Sequence, residues 1–420
     1  MTDQETRSTR RPGCLARLFV VLLSVLFSLL LLEIGARVLY SSKQRSNADA
    51  DYLVIFQPDE KLEWTHAPNR SVTVEVEGQP VLISTNGHGL RDIEYEYTKP
   101  PDTFRILVLG DSYTEAVQVN LEQAYHTILE ERLNATGAEP HIEVLNGGVS
   151  AYGVTRATAW YEEEGRRYEP DLVLLAYYMG NDMRDDHPAL AQIDVLPGLR
   201  RQQFFEVGPD GALREVQAAA SDLDAPTNRL SENASLVSRL DAVFFANSRL
   251  YFYLRPLLTE QVPPVRRLLY NMGVVGNPYP VLQQYAVPVD PVFEEAWRLQ
   301  DALIARLDAA VRADGARFVV LIIPDWVQVQ PDLLINHYPL FYPEMLEAMD
   351  FDQPDQALIG ILERHNIQYL YLRPGFAEQY AADGQPLYGA RTEHWNPQGH
   401  ALAAAMLYDW LLQTNLVPGR

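Results

Sequence analysis

Cysteine is nearly absent from this chain of 420 residues. The single one, Cys14, can form no internal disulfide, and it leaves no cysteine-based zinc site. It also precedes an apolar run, the reverse of the order that a lipoprotein signal needs, so no lipid is expected there. Positive charge is scarce too. Lys and Arg number 34 against 56 Asp and Glu, a formal net charge of −22. Such a surface repels phosphate backbones, so nucleic acid is not an expected partner. No fixed-period repeat and no low-complexity tract interrupts the chain. Hydrophobic residues make up 47%, enough for a full core in one large domain or two ordinary ones.

Leu18 to Leu32 is the apolar run, without charge and with only Ser24 and Ser28 polar. Continued through Ile34, Gly35 and Ala36, it nearly reaches across a hydrocarbon core of about 30 Å as a helix. Glu33 and Arg37 stand four apart at its far end, where they can pair. Arg7, Arg10, Arg11 and Arg17 precede it. By the positive-inside rule, residues 1–17 are then a cytoplasmic tail, 18–40 a transmembrane signal anchor, and the rest lies outside the cytoplasm. A cleaved signal peptide is the rival reading. No small-x-small site directly follows the run, which favours the anchor.

Residues 41–100 read as a turn-rich lead-in segment. Val72, Val74 and Val76 alternate with polar residues, as in a strand. Asn86-Gly87-His88-Gly89-Leu90-Arg91-Asp92 is a turn cluster. Five short apolar runs follow Pro100-Pro101: Phe104–Leu109, Ile142–Leu145, Leu172–Tyr178, Phe318–Ile323 and Ile367–Leu372. Their length and composition suit buried parallel strands. Helical patterns separate them at Leu121–Leu133, Thr155–Arg167, Phe293–Ala313 and Asp355–His365, and a last one runs from Gly399 to Gln413. This alternation predicts an α/β fold, a doubly wound (flavodoxin-like) five-stranded parallel sheet with flanking helices over residues 101–415. Residues 185–290 break the rhythm and read as an insertion, with a helical segment near Leu236–Leu258.

Four motifs sit where such a sheet carries chemistry. Gly110-Asp111-Ser112 follows the first strand, and a serine there faces the usual ligand crevice at a helix N-terminus. Asn146-Gly147-Gly148 ends the second strand, where glycines let backbone N–H groups approach a ligand. Gly180-Asn181-Asp182 ends the third, and an asparagine there can donate into the same crevice. Thr392-Glu393-His394 precedes the last helix, from which an imidazole can reach back to the serine. Each motif taken singly also reads as a turn, a cap or a packed side chain.

In this order, the four blocks resemble the SGNH (GDSL-like) hydrolase family, from Phe104 to Gln413. The turn cluster at 86–92 is similar to the segment that precedes the first block in membrane-anchored members. The resemblance implies that Ser112 is the nucleophile and His394 its base. It implies an oxyanion hole from the Ser112 and Gly148 N–H groups and the Asn181 amide. No metal and no cofactor is expected.

The chain departs from the family at the acid. The usual positions, two or three residues before the histidine, hold Thr392 and Arg391. Three readings stand open: Glu393 serves as the orienting acid, Asp383 or another acid comes from elsewhere, or a backbone carbonyl orients a Ser–His dyad. For function, the resemblance implies an extracytoplasmic ester hydrolase for carbohydrate or lipid O-acyl groups. The alternatives are an O-acyltransferase modifying an extracellular polysaccharide, and a polysaccharide-binding module without activity.

Overall fold

The computed structural model describes residues 14–44, 52–137, 139–191, 194–196, 199–201, 203–217, 280–331, 346–390 and 392–419, with 244, 247–251, 254 and 334. Contacts divide the chain into two compact units. One joins Met1–Asn47 with Leu230–Pro278, and the other joins Ala48–Arg229 with Tyr279–Arg420.

In the first unit, Cys14–Gln44 forms one helix of 31 residues. The expected Glu33–Arg37 pair is present at 2.7 Å. Glu33 also accepts the backbone N–H groups of Arg249 and Leu250, at 3.0 and 2.9 Å. Among the described residues, however, no helix is long and apolar enough to cross a membrane. The expected transmembrane segment over 18–40 is corrected to a helix whose crossing the structure does not support. Residues 1–13 of the expected cytoplasmic tail and most of the 236–258 segment lie outside the described residues, while residues 14–17 open the helix.

The second unit opens with two hairpins from the lead-in: β1 (Phe56–Asp59) with β2 (Glu63–His66), and β3 (Ser71–Val76) with β4 (Gln79–Ser84). Glu77 and Gly78, both at positive φ, close the second hairpin in two residues. The central sheet contains β5 (Thr103–Gly110), β6 (His141–Gly148) and β7 (Leu172–Tyr178). Two further hairpins follow: β8 (Asp194–Leu196) with β9 (Leu199–Arg200), and β10 (Gln203–Val207) with β11 (Leu213–Gln217). The sheet is completed by β12 (Arg317–Ile323) and β13 (Gln368–Tyr371).

All four pairings in the central sheet are parallel, in the order β13-β12-β7-β5-β6. Counted within the sheet, this is the doubly wound order 2-1-3-4-5, whose direction of winding reverses between β5 and β7. Ligands bind at that reversal, outside the carboxyl ends of the strands.

Burial on both faces explains why β7, β12 beyond Arg317 and β5 beyond Arg105 are continuous apolar runs. Leu107, Leu109, Val173, Leu175, Val320 and Ile322 face one core. Ile106, Val108, Leu172, Leu174, Val319 and Leu321 face the other, as period-two alternation requires. The helices Val154–Glu163 and Pro291–Ala313 cover the first face, and Tyr125–Asn134 and Pro397–Gln413 the second. Each falls within a few residues of its predicted pattern. Arg373–Asp383 forms an additional helix that the sequence pattern did not announce.

Candidate active site

The end of β5 delivers Ser112. Gly110 closes the strand where an added Cβ would strike the Thr114 hydroxyl, so the chain turns tightly into the one-turn helix Ser112–Glu115. Asp111 caps that helix by accepting the Tyr113 N–H at 2.9 Å. Burial pushes the Asp111 carboxyl upward. The Ser112 N–H has no acceptor in the chain among the described residues.

His394 arrives from the other end of the sequence. Its loop is pinned by Gly389 N–H to His394 O at 2.7 Å, and by the Asn396 side chain, which caps the last helix. Ser112 Oγ and His394 Nε2 lie 2.7 Å apart. His394 Nδ1 lies 2.5 Å from the Thr392 carbonyl oxygen. A carbonyl only accepts, so Nδ1 carries the proton and Nε2 is left to accept from the serine hydroxyl. Glu393 makes this geometry by taking a left-handed conformation, φ +57°, which curls the chain so that carbonyl 392 meets ring 394. Burial lowers the His394 pKa, with the Thr392 hydrogen bond and the charge of Glu115 acting in the opposite sense.

Neither acid proposed from the sequence bonds to the imidazole. The carboxylate of Asp383 is exposed, accepts the Gln385 N–H at 2.8 Å and binds the Gln379 amide. Glu393 contributes its backbone carbonyl, which accepts Tyr113 OH at 2.6 Å. The Tyr113 ring also stacks on the imidazole, with centroids 4.8 Å apart and planes at 27°. The sequence reading gave no role to Tyr113, although it directly follows the serine.

Gly148 requires a correction. Its N–H donates to the Asn146 side-chain oxygen at 2.9 Å, so it is not available to an oxyanion. A Cβ at this position would lie 2.6 Å from Glu115 N and 2.7 Å from Thr114 C, so glycine is there for close packing against the serine's helix. The unengaged N–H nearby is that of Ala151, which takes φ +63° and finds no acceptor among the described residues. A positive φ at alanine is uncommon and marks a constrained turn.

Asn181 precedes the short helix Asp182–Asp186 at the end of β7. One amide hydrogen goes to Asp185 at 3.0 Å, and the other has no partner among the described residues. Asp185 in turn is paired with Arg201 at 2.9 Å. Asn146, the first residue of the second motif, holds that block together. It takes Gly148 N–H, donates its own N–H to Asp92 at 2.9 Å, and donates its amide to the Arg91 carbonyl at 3.2 Å. The 86–92 cluster is thus built into the site's support. No group of three or more His, Cys, Asp or Glu among the described residues is arranged to hold a metal ion.

No protein-family model and no curated protein matches the chain. Solved structures similar to it include proteins named as esterases. The acetyl xylan esterase AlAXEase matches 73% of this chain and 100% of its own, at 13% identity and a TM-score of 0.36. The psychrotrophic esterase EstA from Pseudoalteromonas sp. matches 74% of this chain and 99% of its own, at 13% identity and a TM-score of 0.34. TesA matches 73% and 97%, at 14% identity and a TM-score of 0.35. Likeness of this degree carries no argument about chemistry, which rests on the chain's own geometry.

Proposed function

We propose that this chain is a serine ester hydrolase of the SGNH type, cleaving O-acyl esters of carbohydrates or lipids. One observation carries the reading. Ser112 stands in hydrogen-bond reach of an imidazole whose tautomer is fixed for proton abstraction, at the sheet's reversal point. His394 takes the hydroxyl proton as Ser112 Oγ attacks the ester carbonyl, then gives it to the departing alcohol. Water, activated the same way, hydrolyses the acyl-enzyme. The oxyanion donors are the Ser112 N–H, the Ala151 N–H and the remaining Asn181 amide hydrogen. Removing one such donor typically costs about 10²–10³ in rate.

The full chain with p-nitrophenyl acetate tests this. Ser112→Ala and His394→Ala are each expected to lose roughly 10³-fold or more in kcat. Equal product release by the Ser112→Ala protein and the native one would sink the reading.

A location outside the cytoplasm belongs to the same proposal. It is supported by the four arginines before the uncharged run Leu18–Leu32, the pattern of an export signal. Protease added to intact cells is expected to degrade residues beyond 40. Full protection until lysis would contradict it.

A further inference from the structure

Glu115 has no part in the chemistry above, yet it is fully buried three residues after the nucleophile. Taking a carboxylate out of water costs several kcal/mol unless it is paired and hydrogen-bonded. Here the lead-in meets that cost. His66 Nε2 lies 2.7 Å from Glu115 Oε1, and Tyr52 OH donates to both oxygens at 2.9 and 2.8 Å. Burial opposes ionisation, but the His66 contact and the Ser150 and Tyr52 hydrogen bonds hold the carboxyl below its usual range.

The Ser150 hydroxyl also donates to the carboxylate, at Oε2, and Arg91 Nη1 donates to the Glu115 backbone carbonyl at 3.0 Å. Ser150 directly precedes Ala151. The turn from 150 to 152 is held at its other polar groups as well. Trp64 Nε1 donates to Ser150 O at 3.1 Å, Arg201 Nη2 donates to Ala151 O at 2.5 Å, and Tyr152 OH donates to Trp64 O at 2.5 Å. These clamps grip carbonyls and a hydroxyl, the Tyr152 N–H bonds to Val149 O at 3.1 Å, and among the described residues the Ala151 N–H is left out. On a helical turn, residues i and i+3 lie on one side. Glu115 therefore joins the helix that begins with Ser112 to the turn that ends beside Ala151.

We propose that Glu115, locked by Tyr52 and His66, is a positioning residue that fixes the Ala151 N–H relative to Ser112. The lead-in segment is then a working part of the acyl-transfer site. This rests on the esterase reading.

The test uses the full chain and compares Glu115→Gln, Ser150→Ala and Ser150→Thr. Three quantities are read: kcat and KM for p-nitrophenyl acetate, and the rate at which diethyl p-nitrophenyl phosphate labels Ser112. Misplacing a group by about 1 Å can cost about 10²-fold. Glu115→Gln and Ser150→Ala are expected to lower kcat and the labelling rate together, by roughly 10–100-fold, with KM within about threefold. Ser150→Thr keeps the hydroxyl and is expected to recover most of the loss. A merely structural role would lower the folded fraction and leave the kcat of folded molecules alone. If Glu115→Gln does not fold, Ser150→Ala decides, because it keeps the Glu115–His66 pair. Folded variants with native kcat would overturn the inference. The esterase reading fails separately, by an active Ser112→Ala.

Discussion

The Thr392 carbonyl oxygen lies 2.5 Å from His394 Nδ1, in the place where a triad carboxylate would stand. A neutral carbonyl fixes the tautomer as well as an acid does, but it offers less charge to the imidazolium that forms during proton transfer.

This relationship predicts the behaviour of the nearby acids. Glu393→Gln and Asp383→Asn are each expected to keep kcat/KM within about threefold, because neither carboxylate bonds to the imidazole. A loss near 10⁴-fold in either variant, of the size seen when a true triad acid is neutralised, would mean that an acid orients His394 after all.

It also predicts the pH profile. His394 must be neutral to accept the serine proton, so activity rises as pH climbs through its pKa. Burial lowers that pKa from the usual histidine value of about 6.5, so the acid limb of kcat/KM is expected below about pH 6.5. A midpoint at or above about pH 7 would point to an ionised carboxylate at the ring instead.

Gly148 and Ala151 are expected to respond in opposite ways. Gly148→Ala drives a Cβ to 2.6 Å from Glu115 N, where backbone cannot easily move, and should lower stability by roughly 1–3 kcal/mol in urea unfolding. Ala151→Gly relieves a positive φ while keeping the N–H. Stability is expected within about 1 kcal/mol of native and kcat within about threefold. If Gly148→Ala is as stable as the native protein, the packing account of Gly148 is wrong.

The sheet was legible because its inner strands are buried on both faces. Ile106–Leu109 and Phe318–Ile323 had to be apolar throughout, and such runs, alternating with helical patterns, admit few arrangements. The helix Arg373–Asp383 escaped notice because only Phe376 on it is buried, so no apolar stripe marks it. Ser112, Asn181 and His394 were legible because each ends a strand or begins a helix within a short recognisable block. Glu115, Tyr52 and His66 were not, since separations of 49 and 63 residues hide their contact from any local pattern.

By itself, the sequence determined the order of strands and helices and singled out Ser112 and His394, because hydrophobic period and turn chemistry are local properties. The tertiary structure alone decided how that histidine is held and which N–H groups stay unbonded. Both depend on where a carbonyl or an amide points once the chain has closed on itself. The carbonyl of residue 392 belongs to every amino acid, so no substitution pattern can announce it. Gly148 appeared to offer its N–H until folding brought the Asn146 side chain against it.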